Sequence, residues 1–162
     1  MTSGLASEVV EAAVAHGLTL GCAESLTGGA VSAALVGVPG ASAAVRGGIV
    51  AYAMDAKHDL LGVGEDLLAG PGPVSRETAE AMAAGARRAL GVDIAVSTTG
   101  VAGPEPHGGA PVGTVWIGVS SAHGEHASEI HAPGARESVR HAAVEAALAA
   151  LRNEIARVFT AP

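Results

Sequence analysis

The sequence predicts a single α/β domain over residues 1–162, a three-layer α/β/α sandwich in which helices cover both faces of a mixed, mostly parallel sheet. Segments with apolar residues at helical spacing alternate with short apolar runs, a pattern typical of parallel strands joined by helices. Two neighbouring segments near the C-terminus then have the pattern of a hairpin. This hairpin supplies the antiparallel pairing that makes the predicted sheet mixed.

The individual elements follow from turn, cap and periodicity signals along the chain. Gly17 is a natural stop for the first helix, and Ser75 is a suitable cap for a long amphipathic one. Helices are predicted at 5–16, 30–36, 55–61, 76–90 and 136–158. Strands are predicted at 18–23, 48–53, 92–97, 113–120 and 125–131, and the Gly- and Pro-rich segment 98–111 is predicted to be a loop.

Composition excludes several classes of protein. The net charge of −7 argues against a nucleic-acid binder, which usually carries a basic surface. The apolar stretches are too short to span a membrane. The one cysteine, Cys22, excludes an internal disulfide, and the first residues lack the pattern of a signal peptide. We therefore expect a cytoplasmic protein without nucleic-acid or membrane partners.

The segment 23–29 is the first candidate site. A predicted strand ends there, Ser25 and Thr27 follow, and two glycines precede a predicted helix. Unpaired N–H groups at the start of a helix attract negative charge, so they could hold a phosphate or the oxyanion of an acyl-transfer intermediate. Taken locally, the same pattern is also typical of a helix cap, with the glycines permitting a tight turn.

Lys57 is the candidate base for Ser25. It is the only lysine in the chain, and it follows the predicted strand 48–53. Lysine can lose its proton when desolvated, whereas arginine does not. The simpler interpretation is an exposed lysine near the start of a helix, paired with Asp55 or Asp59.

Three further candidates come from the residue types. The segment 98–104 follows a predicted strand, and its amides and Thr99 could cradle a phosphate or form a simple turn. Zinc binding by His123, His126 and His131 is conceivable, but no pattern supplies a supporting carboxylate, so no metal site is predicted. Cys22 is a conceivable nucleophile, although a free cysteine inside a strand is usually inert.

Several ordered motifs together resemble the CinA C-terminal domain family. The motifs are Ala-Glu-Ser-Leu-Thr-Gly-Gly at 23–29, the segments 52–57, 60–63 and 74–75, Thr-Gly-Val-Ala-Gly-Pro at 99–104, and Pro-Val-Gly-Thr-Val-Trp at 111–116. The resemblance covers nearly the whole chain. Multidomain members carry another domain ahead of this one, so the resemblance implies a stand-alone form.

The resemblance implies a nicotinamide-nucleotide amidohydrolase, which converts nicotinamide mononucleotide (NMN) to nicotinate mononucleotide and ammonia without a metal or cofactor. By motif, Ser25 is the nucleophile and Lys57 its base, with Tyr52 beside them. The helix N–H groups after Ser25 are expected to stabilise the oxyanion. Substrate binding is assigned to Thr27, Gly28, Gly29, Thr99, Gly100, Gly103 and Arg136, the last of which would meet the phosphate.

Three departures from the family pattern bear on this function. Ala53-Met54 stand where the family often has Ser-Asn, the loop 104–109 has fewer glycines, and Ala135 replaces the usual Asp before Arg136. These departures favour a rival hypothesis, a nucleotide-binding module that has lost catalysis and regulates a partner. A homo-oligomer is expected from the family and from the Ala-rich helix faces.

Overall fold

The computed structural model describes residues 2–160 and consists of a five-stranded sheet with helices on both faces. The helices are α1 (Thr2–Ala15), α2 (Ala30–Val36), α3 (Met54–Leu61), α4 (Glu65–Ala69), α5 (Arg76–Leu90) and α6 (Arg136–Thr160). The strands are β1 (Leu20–Glu24), β2 (Val45–Val50), β3 (Ile94–Gly100), β4 (Thr114–Ser121) and β5 (Gly124–His131). A short 3-10 helix, Ala41–Ala43, precedes β2. Every predicted element is present.

The strand order is β2-β1-β3-β4-β5. β1 pairs in parallel with β2 and β3, whereas β4 is antiparallel to both β3 and β5. Four strands therefore run in one direction and only β4 opposes them, which confirms the mixed, mostly parallel sheet. The hairpin of β4 and β5 is the predicted one.

Two apolar clusters fill the spaces between the layers. Helices α1, α2 and α6 pack on one face of the sheet, over a cluster that includes Leu20, Ile94 and Leu148. Helices α3, α4 and α5 cover the other face, around Leu61 and Met82. Both clusters depend on small and branched aliphatic side chains, which allow helices to lie close to the sheet.

The helix α5 shows why some bounds are predictable. Its cap, Ser75, accepts a hydrogen bond from the amide of Thr78 (3.2 Å), and Gly91 ends the helix with a positive φ of 60°. A left-handed residue after the last turn suits glycine, which has no Cβ to clash. The predicted and observed helices coincide.

Other bounds differ from the prediction. β2 lies three residues earlier than predicted at both ends, because Val45 and Gly47 pair with β1 and the pairing stops at Val50. The predicted loop 98–111 is wrong for its first three residues, because β3 continues to Gly100 opposite β4. The helix α4 was not predicted; its five residues are too few to show periodicity. No helix within residues 2–160 is long and apolar enough to cross a membrane.

Candidate active site

The site lies at the carboxyl end of β1. The chain leaves β1 through α2, on one face of the sheet, to reach β2, and it reaches β3 through α5, on the opposite face. In open α/β sheets such a switch of faces opens a crevice beyond the strand ends, where ligands bind. Ser25 follows β1 directly, and its amide donates a hydrogen bond to the carbonyl of Thr98 in β3 (3.0 Å).

The structure brings together the two residues that the sequence predicts to be catalytic. Lys57 Nζ lies 2.9 Å from Ser25 Oγ, within hydrogen-bonding distance. Nζ also donates to the carbonyl oxygens of Ala51 (3.0 Å) and Tyr52 (3.0 Å). Lys57 is buried, with only 2% of its surface exposed, so the exposed lysine considered above is excluded. The first turn of α3 carries the side chain back toward β1.

Burial changes the protonation of Lys57. Desolvation lowers the pKa of this amine from 10.5 to about 8. No salt bridge to Lys57 is present among residues 2–160, so no carboxylate opposes the effect. A neutral amine has two N–H bonds and one lone pair. Because the carbonyls of Ala51 and Tyr52 accept two N–H bonds, the lone pair of the neutral form is left for the Ser25 hydroxyl.

Glu24, which the sequence analysis did not single out, organises the turn after Ser25. Its carboxylate is 1% exposed and accepts hydrogen bonds from the amides of Gly29 (3.0 Å), Val31 (3.0 Å) and Ser32 (2.8 Å). The Ser32 hydroxyl donates a fourth bond (2.6 Å). The Glu24 carboxylate thus accepts the hydrogen bonds that the amides at the start of α2 could otherwise donate to a ligand. The prediction that these amides stabilise an oxyanion is therefore wrong.

Thr27, Gly28 and Gly29 do not line the cleft, contrary to their predicted contact with substrate. Thr27 is fully buried, and its hydroxyl donates to Glu24 (2.7 Å) and lies 2.7 Å from the Thr98 hydroxyl. The amide of Gly28 donates to the carbonyl of Ser25 (3.1 Å). The two glycines have φ of 59° and 98°, so they allow the tight turn. These residues therefore shape the turn and are not part of the cleft wall.

A cleft of about 360 Å³ opens above the Ser25–Lys57 pair. Of the predicted residues, Tyr52, Thr99, Gly100 and Arg136 line it with the pair. Thr99 is 1% exposed and donates its hydroxyl to the Pro73 carbonyl (2.6 Å). The Thr99 hydroxyl proton is therefore already used in a hydrogen bond within the protein.

Arg136 and Tyr52 form the rim of this cleft. The Arg136 guanidinium donates to the Tyr52 hydroxyl (3.1 Å) and to the carbonyl of Gly103 (2.7 Å). Both side chains are exposed. Gly103 therefore contributes a carbonyl that orients the arginine, whereas its predicted contact with substrate has no support because it does not line the cleft. Ala135 does not prevent this orientation of Arg136.

The cleft also has walls that sequence reasoning missed. Leu26, Val74 and Ala102 supply apolar surface, and Met54 and His107 stand among the lining residues. His107 lies in the predicted loop 98–111, and a bridge between His107 and Ala110 closes that part of the loop. The alternation of Gly and Pro in segment 98–111 gave no signal for this contact.

The alternative sites receive no support from the geometry. Cys22 is fully buried in β1, and burial raises its pKa to about 12, so a thiolate nucleophile is excluded. His126 contacts Glu154 (3.8 Å) and His131 contacts Glu129 (3.4 Å). Within residues 2–160, no three His, Cys, Asp or Glu side chains are placed to hold a metal ion.

The fold and the site define a class of protein: a three-layer α/β/α domain with a buried serine–lysine pair at the end of its central parallel strand. The model of the CinA C-terminal domain matches residues 2–155. The chain belongs to the CinA C-terminal domain family.

Named relatives agree with this assignment. A CinA-like protein of Frankia casuarinae is 49% identical over 143 residues, which are 88% of this chain and 33% of that protein. A CinA-like protein of Gemmatimonas aurantiaca is 40% identical over 156 residues, 94% of this chain and 36% of that protein. The chain thus spans about a third of the length of these relatives.

Solved structures of CinA superfamily proteins have the same fold. The protein from Klebsiella pneumoniae superposes with a TM-score of 0.93 at 34% identity, covering 97% of this chain and 99% of that one. The competence/damage inducible protein CihA from Agrobacterium tumefaciens gives 0.88 at 38% identity, covering 93% of each chain.

Proposed function

We propose that this protein is a serine amidohydrolase that converts NMN to nicotinate mononucleotide and ammonia. The observation that carries the proposal is the buried contact of 2.9 Å between Lys57 Nζ and Ser25 Oγ. A serine hydroxyl is a weak nucleophile until an adjacent base removes its proton. With a pKa of about 8, about a tenth of the Lys57 amine is neutral at pH 7 and able to act as that base.

The reaction has two steps. Neutral Lys57 takes the proton of Ser25 while Oγ bonds to the carboxamide carbon. The lysinium then donates its proton to the leaving nitrogen, the C–N bond breaks, and ammonia departs. A water molecule attacks the resulting ester with Lys57 again as base, and release of the acid restores the serine hydroxyl.

The cleft suits a pyridine nucleotide. Its volume of about 360 Å³ falls within the range of roughly 300–1,000 Å³ found for small-molecule sites. Leu26 and Val74 offer apolar surface to a pyridine ring near the serine. Arg136 at the rim offers a guanidinium to the phosphate, which it can bind with two parallel hydrogen bonds.

Ammonia release from NMN tests the proposal. We expect Ser25→Ala and Lys57→Met to abolish release, while Ser42→Ala, which changes an exposed serine outside the cleft, leaves it unchanged. Lys57→Arg should also be inactive, because a guanidinium does not lose its proton near neutral pH. Circular dichroism confirms that each variant is folded. Turnover retained by the Ser25 or Lys57 variants would reject the assignment.

A nucleotide-binding module without catalysis is the second candidate, because Ala53 and Met54 place no polar side-chain group on the cleft wall beside Lys57. Calorimetric titration with NMN beside the ammonia assay separates the two. Binding without turnover by the wild-type protein would favour the module. Comparison of NMN, NAD and nicotinamide riboside in the same assay identifies the preferred substrate.

A further inference from the structure

The turn between β1 and α2 exposes its carbonyl groups to one arginine. Arg140, on α6, donates from Nε to the carbonyl of Leu26 (2.9 Å) and from Nη2 to the carbonyl of Thr27 (3.1 Å). These carbonyls lie 114 and 113 residues away in sequence. A planar guanidinium that binds two successive carbonyls fixes the orientation of both peptide groups.

The orientation of a carbonyl determines that of the N–H in the same peptide group. In a planar trans peptide the C=O and N–H bonds point in opposite directions. Because Arg140 holds the Leu26 carbonyl, the amide of Thr27 points away from α6. Because Arg140 also holds the Thr27 carbonyl, the Gly28 amide in that peptide group points the opposite way and donates to the Ser25 carbonyl (3.1 Å). The Leu26 amide shares a peptide group with the Ser25 carbonyl, so it points out of the turn.

The other amides of this segment are occupied. Ser25 donates to Thr98, Gly28 donates to Ser25, and the amides at the start of α2 bind the Glu24 carboxylate. Neither the Leu26 amide nor the Thr27 amide has an acceptor among residues 2–160. A buried backbone donor is normally paired, and of these two residues only Leu26 lines the cleft, so the Leu26 amide is available to a bound group.

We propose that Arg140 is a positioning residue, which holds the turn after Ser25 so that the Leu26 amide acts as an oxyanion-hole donor for acyl transfer to Ser25. This proposal rests on the serine chemistry proposed above. Leu26 lines the cleft and follows the nucleophile directly, so its amide is the cleft donor nearest to Ser25 in sequence. Arg140 itself does not line that cleft, so it acts through the turn.

The effect of Arg140→Met is measured on two reactions. The methionine keeps much of the aliphatic stem but no donor. We expect kcat for NMN to fall about 100-fold, the effect of losing one oxyanion-hole donor, with KM within about twofold. The pH at which kcat/KM reaches half of its maximum is expected near the Lys57 pKa of about 8. This pH should not change in the variant, because Lys57 keeps its contacts. Arg140→Lys, which restores a single donor, should recover part of the rate.

Acylation by p-nitrophenyl acetate provides a readout that does not depend on the natural substrate. Ser25 Oγ bonds to the acetyl carbon, its proton goes to Lys57, and p-nitrophenolate leaves. We expect Arg140→Met to slow this step about 100-fold as well. Arg152→Met is the matched control, since Arg152 lies on the same helix but pairs with Glu8 at the surface (3.2 Å).

The outcomes separate the two proposals. If the wild-type protein is acylated but does not hydrolyse NMN, the amidase proposal fails, and slow acylation of Arg140→Met still supports the positioning role. Acylation of folded Arg140→Met at the rate of Arg152→Met would overturn that role. A shift in the pH of half-maximal kcat/KM with an unchanged maximal rate would also overturn that role. Such a result would mean that Arg140 acts by changing the pKa of Lys57. A wild-type protein that is neither acylated nor able to hydrolyse NMN would overturn both.

Discussion

Replacing Lys57 by methionine should change how the stability of the protein depends on pH. The pKa of this amine falls from 10.5 to about 8 on folding because burial removes water from the charged form. That difference corresponds to about 3 kcal/mol at about 1.36 kcal/mol for each factor of ten. A protonated Lys57 therefore destabilises the folded state. Below pH 8 the amine is protonated in both states, so the free energy of unfolding is lowered by this full amount.

The sign follows from proton binding. Between pH 8 and pH 10.5 the unfolded chain binds more protons at this residue than the folded chain, so the free energy of unfolding rises with pH. Integration from pH 7 to pH 9.5 gives a gain of about 2 kcal/mol for the wild-type protein relative to Lys57→Met. Other titrating groups cancel in this difference, since methionine has similar length and no titratable proton.

Urea denaturation of both proteins at pH 7 and pH 9.5 measures the effect. We expect the wild-type protein to gain stability relative to the variant as the pH rises, whatever their order at pH 7. A relative change below about 0.5 kcal/mol, the scale of extrapolation error, would refute the argument. A relative loss of stability would show that the folded state favours the charged amine.

Three further outcomes are expected. The kcat/KM for NMN should rise about tenfold per pH unit below pH 8 and level off above it, as the neutral fraction of Lys57 does; a profile flat from pH 6 to 9 would exclude this base. Gly85→Ala should destabilise the protein by about 2–3 kcal/mol in urea, because a Cβ there overlaps the Leu61 carbonyl, whereas Gly4→Ala has free space and should not. Glu24→Gln should lower the free energy of unfolding by about 3 kcal/mol, since an amide cannot accept all the hydrogen bonds of the carboxylate; an unchanged urea midpoint would contradict this.

The sequence was most informative where the determinants are local. The cap at Ser75 and the glycine at 91 fix the bounds of α5 without help from the rest of the chain. Ser25 could be placed at the carboxyl end of a strand from the apolar run before it. The strand bounds that failed, at Val45 and Gly100, depend on pairing with other strands, and no local pattern reports a partner.

The organisation of the turn around Ser25 could not be predicted for the same reason. Glu24 looks like the last residue of a strand, and only the fold shows that its carboxylate turns toward α2. Arg140 lies more than 110 residues from the carbonyls it binds. A helical arginine is ordinarily a surface residue, and its sequence neighbours carry no signal for this contact.

The burial of Lys57 is itself an argument for chemistry. A buried amine without a carboxylate costs stability, and an apolar side chain of similar volume would avoid that cost. Among residues 2–160 the acceptors at Lys57 are two carbonyls and the Ser25 hydroxyl. Two carbonyls suffice to hold a neutral amine, so the third contact is the one that needs a reason. The proton transfer from Ser25 that we propose would supply that reason, whereas a purely structural lysine would gain more from a carboxylate.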